Sequence, residues 1–198
     1  MPSYRPRLRP ISLPALGFGG ALLGTAWDRM HVAAGTLFYT PPGGFRQPWW
    51  VPLEFAALFL AGGIGIARLG NPVPDARSPR RAFAELLFFS ATYALTALLW
   101  KHVAVLTVLL IVLLIVRLPS LQRVGSANAL PALFLVVGGP ATEAWLSAAG
   151  LFSYAQADVF GIPVWLPLLY MLAVPFAVRA IEAAIWIGGV RTPSEQPA

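Results

Sequence analysis

The segment VAVLTVLLIVLLIV (Val103–Val116) decides the fold class, because none of its residues carries a charge. Its surroundings are similar in character: the chain is 58% hydrophobic and 11% charged. Soluble domains carry roughly 25% charged residues, so this chain has too few polar groups to cover a surface that faces water. We therefore predict that lipid forms a large part of its solvent and that Val103–Val116 lies inside a membrane.

Apolar segments on both sides of this run complete a predicted set of six membrane spans. A bilayer core of about 30 Å needs roughly 20 apolar residues in helical form. The segments do not alternate apolar and polar residues as strands of a membrane β-barrel would. We predict an all-α protein, a six-transmembrane helix bundle over residues 12–187, with cytosolic tails at 1–11 and 188–198. The predicted spans are 12–34, 50–69, 82–100, 103–118, 127–150 and 164–187.

The basic residues predict the orientation of these spans. If both termini face the cytosol, 11 of the 14 basic residues fall on the inner side, as the positive-inside rule requires. We therefore predict a multi-pass protein of the cell membrane. The same distribution accounts for the net charge of +6 without a nucleic-acid partner. The inner set is Arg5, Arg7, Arg9, Arg68, Arg77, Arg80, Arg81, Arg117, Arg123, Arg179 and Arg191, and the outer set is Arg29, Arg46 and Lys101.

An internal repeat relates two outer connections. AAGTLFYTPPGGFRQPWWVPLEF (33–55) aligns without a gap to AAGLFSYAQADVFGIPVWLPLLY (148–170), with nine identical positions of 23. The offset of 115 also places Asp28 over Glu143. We predict that spans 1–2 and 5–6 form a parallel pseudo-repeat of helical hairpins about an axis along the membrane normal. Tryptophans at the helix starts, Trp49, Trp50 and Trp165, are expected at the outer lipid–water interface.

Ionisable residues inside spans are costly, which makes them candidates for function. Asp28 and Glu143 both fall in the outer half of the membrane. One interpretation is structural: Asp28, Glu143, Arg29 and Lys101 neutralise one another. The other is that they line a polar rim above an apolar cavity and hold the head group of a ligand.

Other polar residues have simpler predicted roles. Arg179 and Glu182 are one helical turn apart and should form a local ion pair. The hydroxyls of Thr92, Tyr93 and Thr96 should bond to backbone carbonyls of their own helix, or else to the hydroxyl of a buried lipid. The basic loop NPVPDARSPRR (71–81) fixes topology or recognises anionic lipid head groups. The chain has no cysteine, which excludes thiolate metal sites, and we predict no metal.

Two motifs resemble the Insig family of sterol-regulatory membrane proteins and their bacterial relatives. They are Trp49-Trp50-Val51-Pro52 at the second span and YxxxDxxxIxxWLP (154–167) at the sixth. The resemblance implies a six-helix bundle with a lipid-filled cavity, a bound neutral lipid, and a homotrimer or other homo-oligomer. Animal members also carry an acidic residue after the fourth span and polar residues early in it. Here these regions read LPSLQRVG (118–125) and VAVLTV (103–108), so sterol specificity and regulatory partners do not follow.

These observations favour a non-enzymatic protein that binds a diacylglycerol- or sterol-like lipid in an intramembrane cavity, without a cofactor. The sequence contains no GxSxG, HExxH or P-loop motif. An alternative is a membrane enzyme acting on an isoprenoid, with Asp28 and Glu143 as acid and base. The segment GIPVWLPLLY (Gly161–Tyr170) resembles a motif of carotenoid cyclases and hydratases, and Gly161 is the residue that fits this motif and not the Insig one. A small transporter is a third hypothesis. The predicted lipid-binding residues are Asp28, His31, Trp50, Tyr93, Glu143, Tyr154, Asp158 and Trp165.

Overall fold

Six long helices and two short strands make up the part of the chain that the computed structural model describes, residues 12–124 and 128–188. Apart from Gly188, the predicted tails, with Arg5, Arg7, Arg9 and Arg191, lie outside the described residues. In chain order the elements are α1 Ser12–Ala34, β1 Leu37–Tyr39, α2 Val51–Leu69, α3 Ser78–Leu99, α4 Val103–Val124, α5 Ala129–Ala148, β2 Phe152–Tyr154 and α6 Leu166–Ile187.

Five of the helices begin and end within four residues of the predicted ranges. The exception is α4, which passes through Pro119 and ends at Val124 instead of 118. Proline removes one backbone donor, but membrane helices tolerate this where neighbouring groups satisfy the freed carbonyl. The strands are a second difference from the all-α prediction, because the connections after α1 and α5 each contain three extended residues.

Helices α2 to α6 are long and apolar enough to cross a membrane, and this makes the protein a multi-pass membrane protein. Helix α1 has 23 residues, but it carries Asp28, Arg29 and His31 near its end. Its role as the first of six spans therefore remains a prediction. The chain direction places β1 and β2 at one end of the bundle, which we call the strand end. The opposite end, where α3 begins and α4 ends, is the arginine end.

The core lies around α6, which packs against α3, α4 and α5. Its buried side chains include Leu172 and Phe176. Helix α4 is apolar on its outer face as well, where Val108, Val112 and Ile115 are exposed. A helix that is apolar all round is typical of a membrane span, whose outer face contacts lipid.

Glycines bring α1 and α2 into close contact. A Cβ atom at Gly20 would lie 2.4 Å from Cγ of Phe59, and one at Gly24 would lie 2.1 Å from Cγ of Phe55. No side chain fits at these distances, so both glycines serve helix packing inside the chain.

The two strands pair in a symmetric register. Leu37 lies opposite Tyr154 and Tyr39 opposite Phe152, so that Phe38 faces Ser153. Phe38 and Ser153 are themselves 115 positions apart, as are Tyr39 and Tyr154. An antiparallel pair whose central residues are repeat mates has local two-fold symmetry.

The turns beside the strands also recur at this offset. Gly35 and Gly150 have φ angles of 72° and 73°, which favour glycine. The amide of Thr36 donates to the carbonyl of His31 at 2.9 Å, and the amide of Leu151 donates to that of Leu146 at 3.1 Å. The same backbone turn therefore ends α1 and α5.

Candidate functional site

Three carboxylates and four tyrosines gather near the strand end, and we call them the carboxylate–tyrosine cluster. The carboxylates come from three different helices, α1, α2 and α5. Two tyrosines belong to the strands, and the other two to α3 and α6. The members are Asp28, Glu54, Glu143, Tyr39, Tyr93, Tyr154 and Tyr170.

Asp28 is buried against the connection between α1 and α2. It is 4% exposed, and its Oδ2 accepts a hydrogen bond from the Tyr39 hydroxyl at 2.9 Å. The same oxygen accepts one from Nε2 of Gln47 at 2.6 Å. Nε2 of Gln47 also donates to the carbonyl of Thr25 at 3.3 Å. The side-chain amide of Gln47 therefore links the α1–α2 connection to two residues of α1.

Glu143 holds the equivalent position on α5. Its carboxylate accepts hydrogen bonds from the hydroxyls of Tyr154 and Tyr170, the second at 2.6 Å. Each strand tyrosine thus donates to the carboxylate 11 residues before it, Tyr39 to Asp28 and Tyr154 to Glu143. Burial, with the charge of Glu143, raises the pKa of Tyr154 well above its usual range, so the phenol keeps the proton that it donates.

Gly139 leaves the space that the ring of Tyr170 occupies beside Glu143. A Cβ atom at Gly139 would lie 2.0 Å from Cε1 of Tyr170, so a larger residue there would displace the ring. Gly139 precedes Glu143 by one helical turn, which places the ring and the carboxylate on the same face of α5.

Glu54 is the third carboxylate and lies in the first turn of α2. It is half-buried, and its charge is close enough to interact with those of Glu143 and Asp28. Across residues 12–124 and 128–188, no hydrogen bond to its side chain is found. Glu54 is therefore the carboxylate of the cluster that makes no hydrogen bond among the described residues, and it can accept one from another donor.

The predicted neutralisation of these acids by Arg29 and Lys101 is wrong. Arg29 lies over the ring of Phe45 at 5.1 Å, and Lys101 over that of Trp100 at 5.3 Å. The ion pairs found within the described ranges lie towards the arginine end. Both cations therefore contact aromatic rings; Lys101 is exposed, whereas Arg29 is half-buried.

Trp165 and His31 occupy the core next to the cluster. Trp165 is 0% exposed, so its predicted place at the lipid–water interface is wrong; Trp49, at 79%, has such exposure. The His31 ring stacks on Tyr93 at 4.3 Å, and its Nε2 is 2.8 Å from the hydroxyl of Thr96. These rings pack against the cluster and fill the space between α1, α3 and the start of α6.

The remaining predicted residues are divided between the cluster and the surface. Trp50 is half-buried and packs edge-on against Tyr39 at 5.5 Å. Asp158 is exposed, and its Oδ2 accepts a hydrogen bond from the backbone amide of Val164 at 3.0 Å. It therefore shapes the turn that leads into α6. Gly161 in that turn has a φ of 78°, which gives a conformational reason for glycine there.

Several simple predictions are confirmed, whereas the contacts of Gln47 and Tyr170 with the carboxylates had no signal in the sequence. Arg179 pairs with Glu182 at 2.6 Å. The hydroxyls of Thr92 and Thr96 donate to the carbonyls of Phe88 and Tyr93. Sequence reasoning missed Gln47 and Tyr170, which are far from their carboxylates along the chain. Tyr39 could have been assigned to the site, since it is the repeat mate of Tyr154.

Two grooves lie away from the cluster, and none of the eight predicted lipid-binding residues lines either of them. The first has a volume of about 330 Å³. It lies between the C-terminal end of α4, the N-terminal end of α5 and the first half of α6. Its wall is apolar and includes Leu121, Ala132 and Met171. The second, of about 250 Å³, lies at the arginine end.

Comparison with known proteins gives a specific structural match. No protein-family model matches the chain, and no match is found among curated proteins. The crystal structure of MvINS, a mycobacterial Insig homologue from Mycobacterium vanbaalenii, is similar with a TM-score of 0.72 and 26% identity, covering 94% of this chain and 99% of MvINS. A cross-linked trimer of MvINS gives a TM-score of 0.74 and 25% identity with the same coverage. The chain is therefore an Insig-like membrane protein.

Proposed function

We propose that this Insig-like protein binds a neutral, hydroxyl-bearing lipid, diacylglycerol- or sterol-like, and that the carboxylate–tyrosine cluster receives the hydroxyl. The observation that carries the proposal is the convergence of three carboxylates from three helices, with Glu54 free of a hydrogen bond within the described ranges. Glu54 is half-buried, so its carboxylate has surface left for a further donor. A lipid hydroxyl would supply the donor that Glu54 lacks.

The charge of the cluster favours a neutral ligand. Asp28, Glu54 and Glu143 would repel the phosphate of a phospholipid head group, whereas a hydroxyl carries no charge. Exposed apolar residues of α2 and α5, such as Leu58 and Val137, offer a surface for acyl chains or a ring system. A few polar groups within a mostly apolar site are typical of ligand pockets.

The same geometry argues against Asp28 and Glu143 as an acid–base pair. An acid–base pair must reach one substrate from two sides. Asp28 is enclosed by Tyr39 and Gln47, which leaves Glu143 and Glu54 as the carboxylates with exposed surface. The φ of 78° gives Gly161 a conformational role, so the glycine by itself does not favour the cyclase-like alternative.

Two further features belong to this proposal. The recurrence of strand register, turns and tyrosine–carboxylate bonds at an offset of 115 supports a parallel pseudo-repeat of the hairpins α1–α2 and α5–α6. In that arrangement six spans cross the membrane, with both termini cytosolic and the strand end outside. The MvINS trimer supports a homo-oligomer, which chemical cross-linking in membranes followed by mass measurement would test.

Lipid analysis of the purified protein tests the central proposal. The wild-type protein should retain a hydroxyl-bearing neutral lipid after extraction in mild detergent, measured by mass spectrometry against total membrane lipid. Glu54→Ala removes the free acceptor, and retention should fall about tenfold, the value of one hydrogen bond to a charged group. Asp158→Asn is the matched control, because it keeps the acceptor for Val164 and lies outside the cluster. Recovery of bulk phospholipid alone from the wild type would refute the proposal.

A further inference from the structure

We infer that the arginine end holds a binding site for a phosphate group, between α3, α4 and α6. A groove of about 250 Å³ lies there, separate from the carboxylate–tyrosine cluster. Four arginines, one carboxylate and one hydroxyl line it. The lining residues are Arg81, Ala84, Glu85, Arg117, Ser120, Arg123 and Arg179.

The arginines keep donors free after their ion pairs are made. Arg81 pairs with Asp75 at 2.5 Å, Arg179 pairs with Glu182, and Arg117 pairs with Glu85. Each pair uses one terminal nitrogen, whereas a guanidinium has five N–H donors. Of the three carboxylates, Glu85 lines the groove. The wall therefore carries four cations and one anion.

Two of these donors are buried without a partner. Nε of Arg81 and Nε of Arg117 are shielded from solvent, and neither has a hydrogen-bond acceptor within the described part of the chain. These two atoms have no surface that faces the groove, so a ligand there would meet the terminal nitrogens that the ion pairs leave free. The guanidinium of Arg117 also lies 4.4 Å above the ring of Phe88, which fixes its plane.

A phosphate group fits this chemistry better than a carboxylate does. It offers several acceptor oxygens in a tetrahedral arrangement, and the arginine fork binds such groups in bidentate fashion. The hydroxyl of Ser120 would add a further donor on the α4 side.

The surroundings of the groove point to a lipid as the source of the phosphate. Exposed apolar side chains flank it on α3, at Phe83 and Leu87, and on α4, at Val116 and Leu118. Acyl chains could lie along this surface while the head group reaches the arginines. Basic pockets between membrane helices on the cytoplasmic side bind lipid head groups in this way.

Binding of defined lipids would test this site. The purified protein in detergent is titrated with phosphatidylglycerol and with phosphatidylcholine, and bound lipid is counted by native mass spectrometry. Inorganic phosphate is tested separately by the shift in thermal unfolding. Arg123→Gln is the test variant, because Arg123 is exposed and is in no ion pair within the described residues. Arg68→Gln is the matched control, an exposed arginine of α2 that does not line the groove.

We expect a preference for phosphatidylglycerol, with apparent affinity reduced about fivefold in Arg123→Gln and unchanged in Arg68→Gln. A second outcome is that the protein binds both phospholipids equally, while inorganic phosphate stabilises the wild type and not Arg123→Gln. The groove would then still be a phosphate site, and its ligand would be a soluble phosphate compound. Equal behaviour of the wild type and Arg123→Gln towards both probes would overturn the inference. Arg123→Lys, which keeps the charge but not the fork, should recover part of the affinity.

Discussion

The contact between Gly139 and Tyr170 gives a sharp test of how the cluster is built. In Gly139→Ala the new Cβ would lie 2.0 Å from Cε1 of Tyr170, whereas ordinary contacts begin near 3.4 Å. The ring or the helix must therefore move by about 1.4 Å, the difference between these two distances. A shift of that size along the bond would lengthen the contact of Tyr170 with Glu143, now 2.6 Å, to about 4 Å, beyond hydrogen-bonding range.

Two terms then lower the free energy of unfolding. Overpacking costs about 1–3 kcal/mol, and a lost hydrogen bond to a charged group costs about 1.5–3 kcal/mol. The higher helix propensity of alanine returns up to about 1 kcal/mol. We expect a net loss of about 1.5–6 kcal/mol in equilibrium unfolding in detergent, followed by tryptophan fluorescence.

The neighbouring glycine provides the control. A Cβ at Gly138 meets nothing within 4 Å, so Gly138→Ala should be neutral or stabilise the protein by up to about 1 kcal/mol. Tyr170→Phe removes the hydroxyl but keeps the ring, and it should show the hydrogen-bond part of the loss alone. Equal stability of Gly139→Ala and Gly138→Ala would refute the packing on which this reasoning depends.

Two other substitutions test the packing of the bundle. Gly24→Ala should destabilise the protein by about 1–3 kcal/mol in the same unfolding assay, because its Cβ would lie 2.1 Å from Cγ of Phe55. Gly19→Ala meets nothing within 4 Å and should be neutral, and equal effects would contradict the α1–α2 contact. Trp165→Phe should lose about 1–3 kcal/mol because Trp165 is buried, whereas Trp49→Phe should change stability little. A larger loss of stability in Trp49→Phe than in Trp165→Phe would contradict the burial of Trp165 in the core.

The positions of the helices could be predicted from the sequence because they follow from local hydropathy. A backbone in lipid must satisfy its own hydrogen bonds, so an apolar run of sufficient length becomes a helix. The strands had no comparable signal. Three-residue strands form only because the ends of α1 and α5 come close together, which is a long-range event that local propensity does not encode.

The acids of the site could be predicted, whereas their surroundings could not. Asp28 and Glu143 are conspicuous because charges in apolar segments are costly. Which residues satisfy them depends on helix rotation and on loop paths. For this reason Gln47 was missed, and Trp165 was assigned to the interface although it lies in the core.

Photoaffinity labelling tests the central claim most directly. A diacylglycerol with a diazirine near its glycerol is incorporated into membranes that contain the protein, and the labelled peptides are identified by mass spectrometry. We predict labels on α2 and α5 beside Glu54 and Glu143, displaced by unlabelled diacylglycerol and reduced in Glu54→Ala. Labels spread evenly over the lipid-facing helices, or unchanged in Glu54→Ala, would contradict the binding of a lipid hydroxyl at the carboxylate–tyrosine cluster.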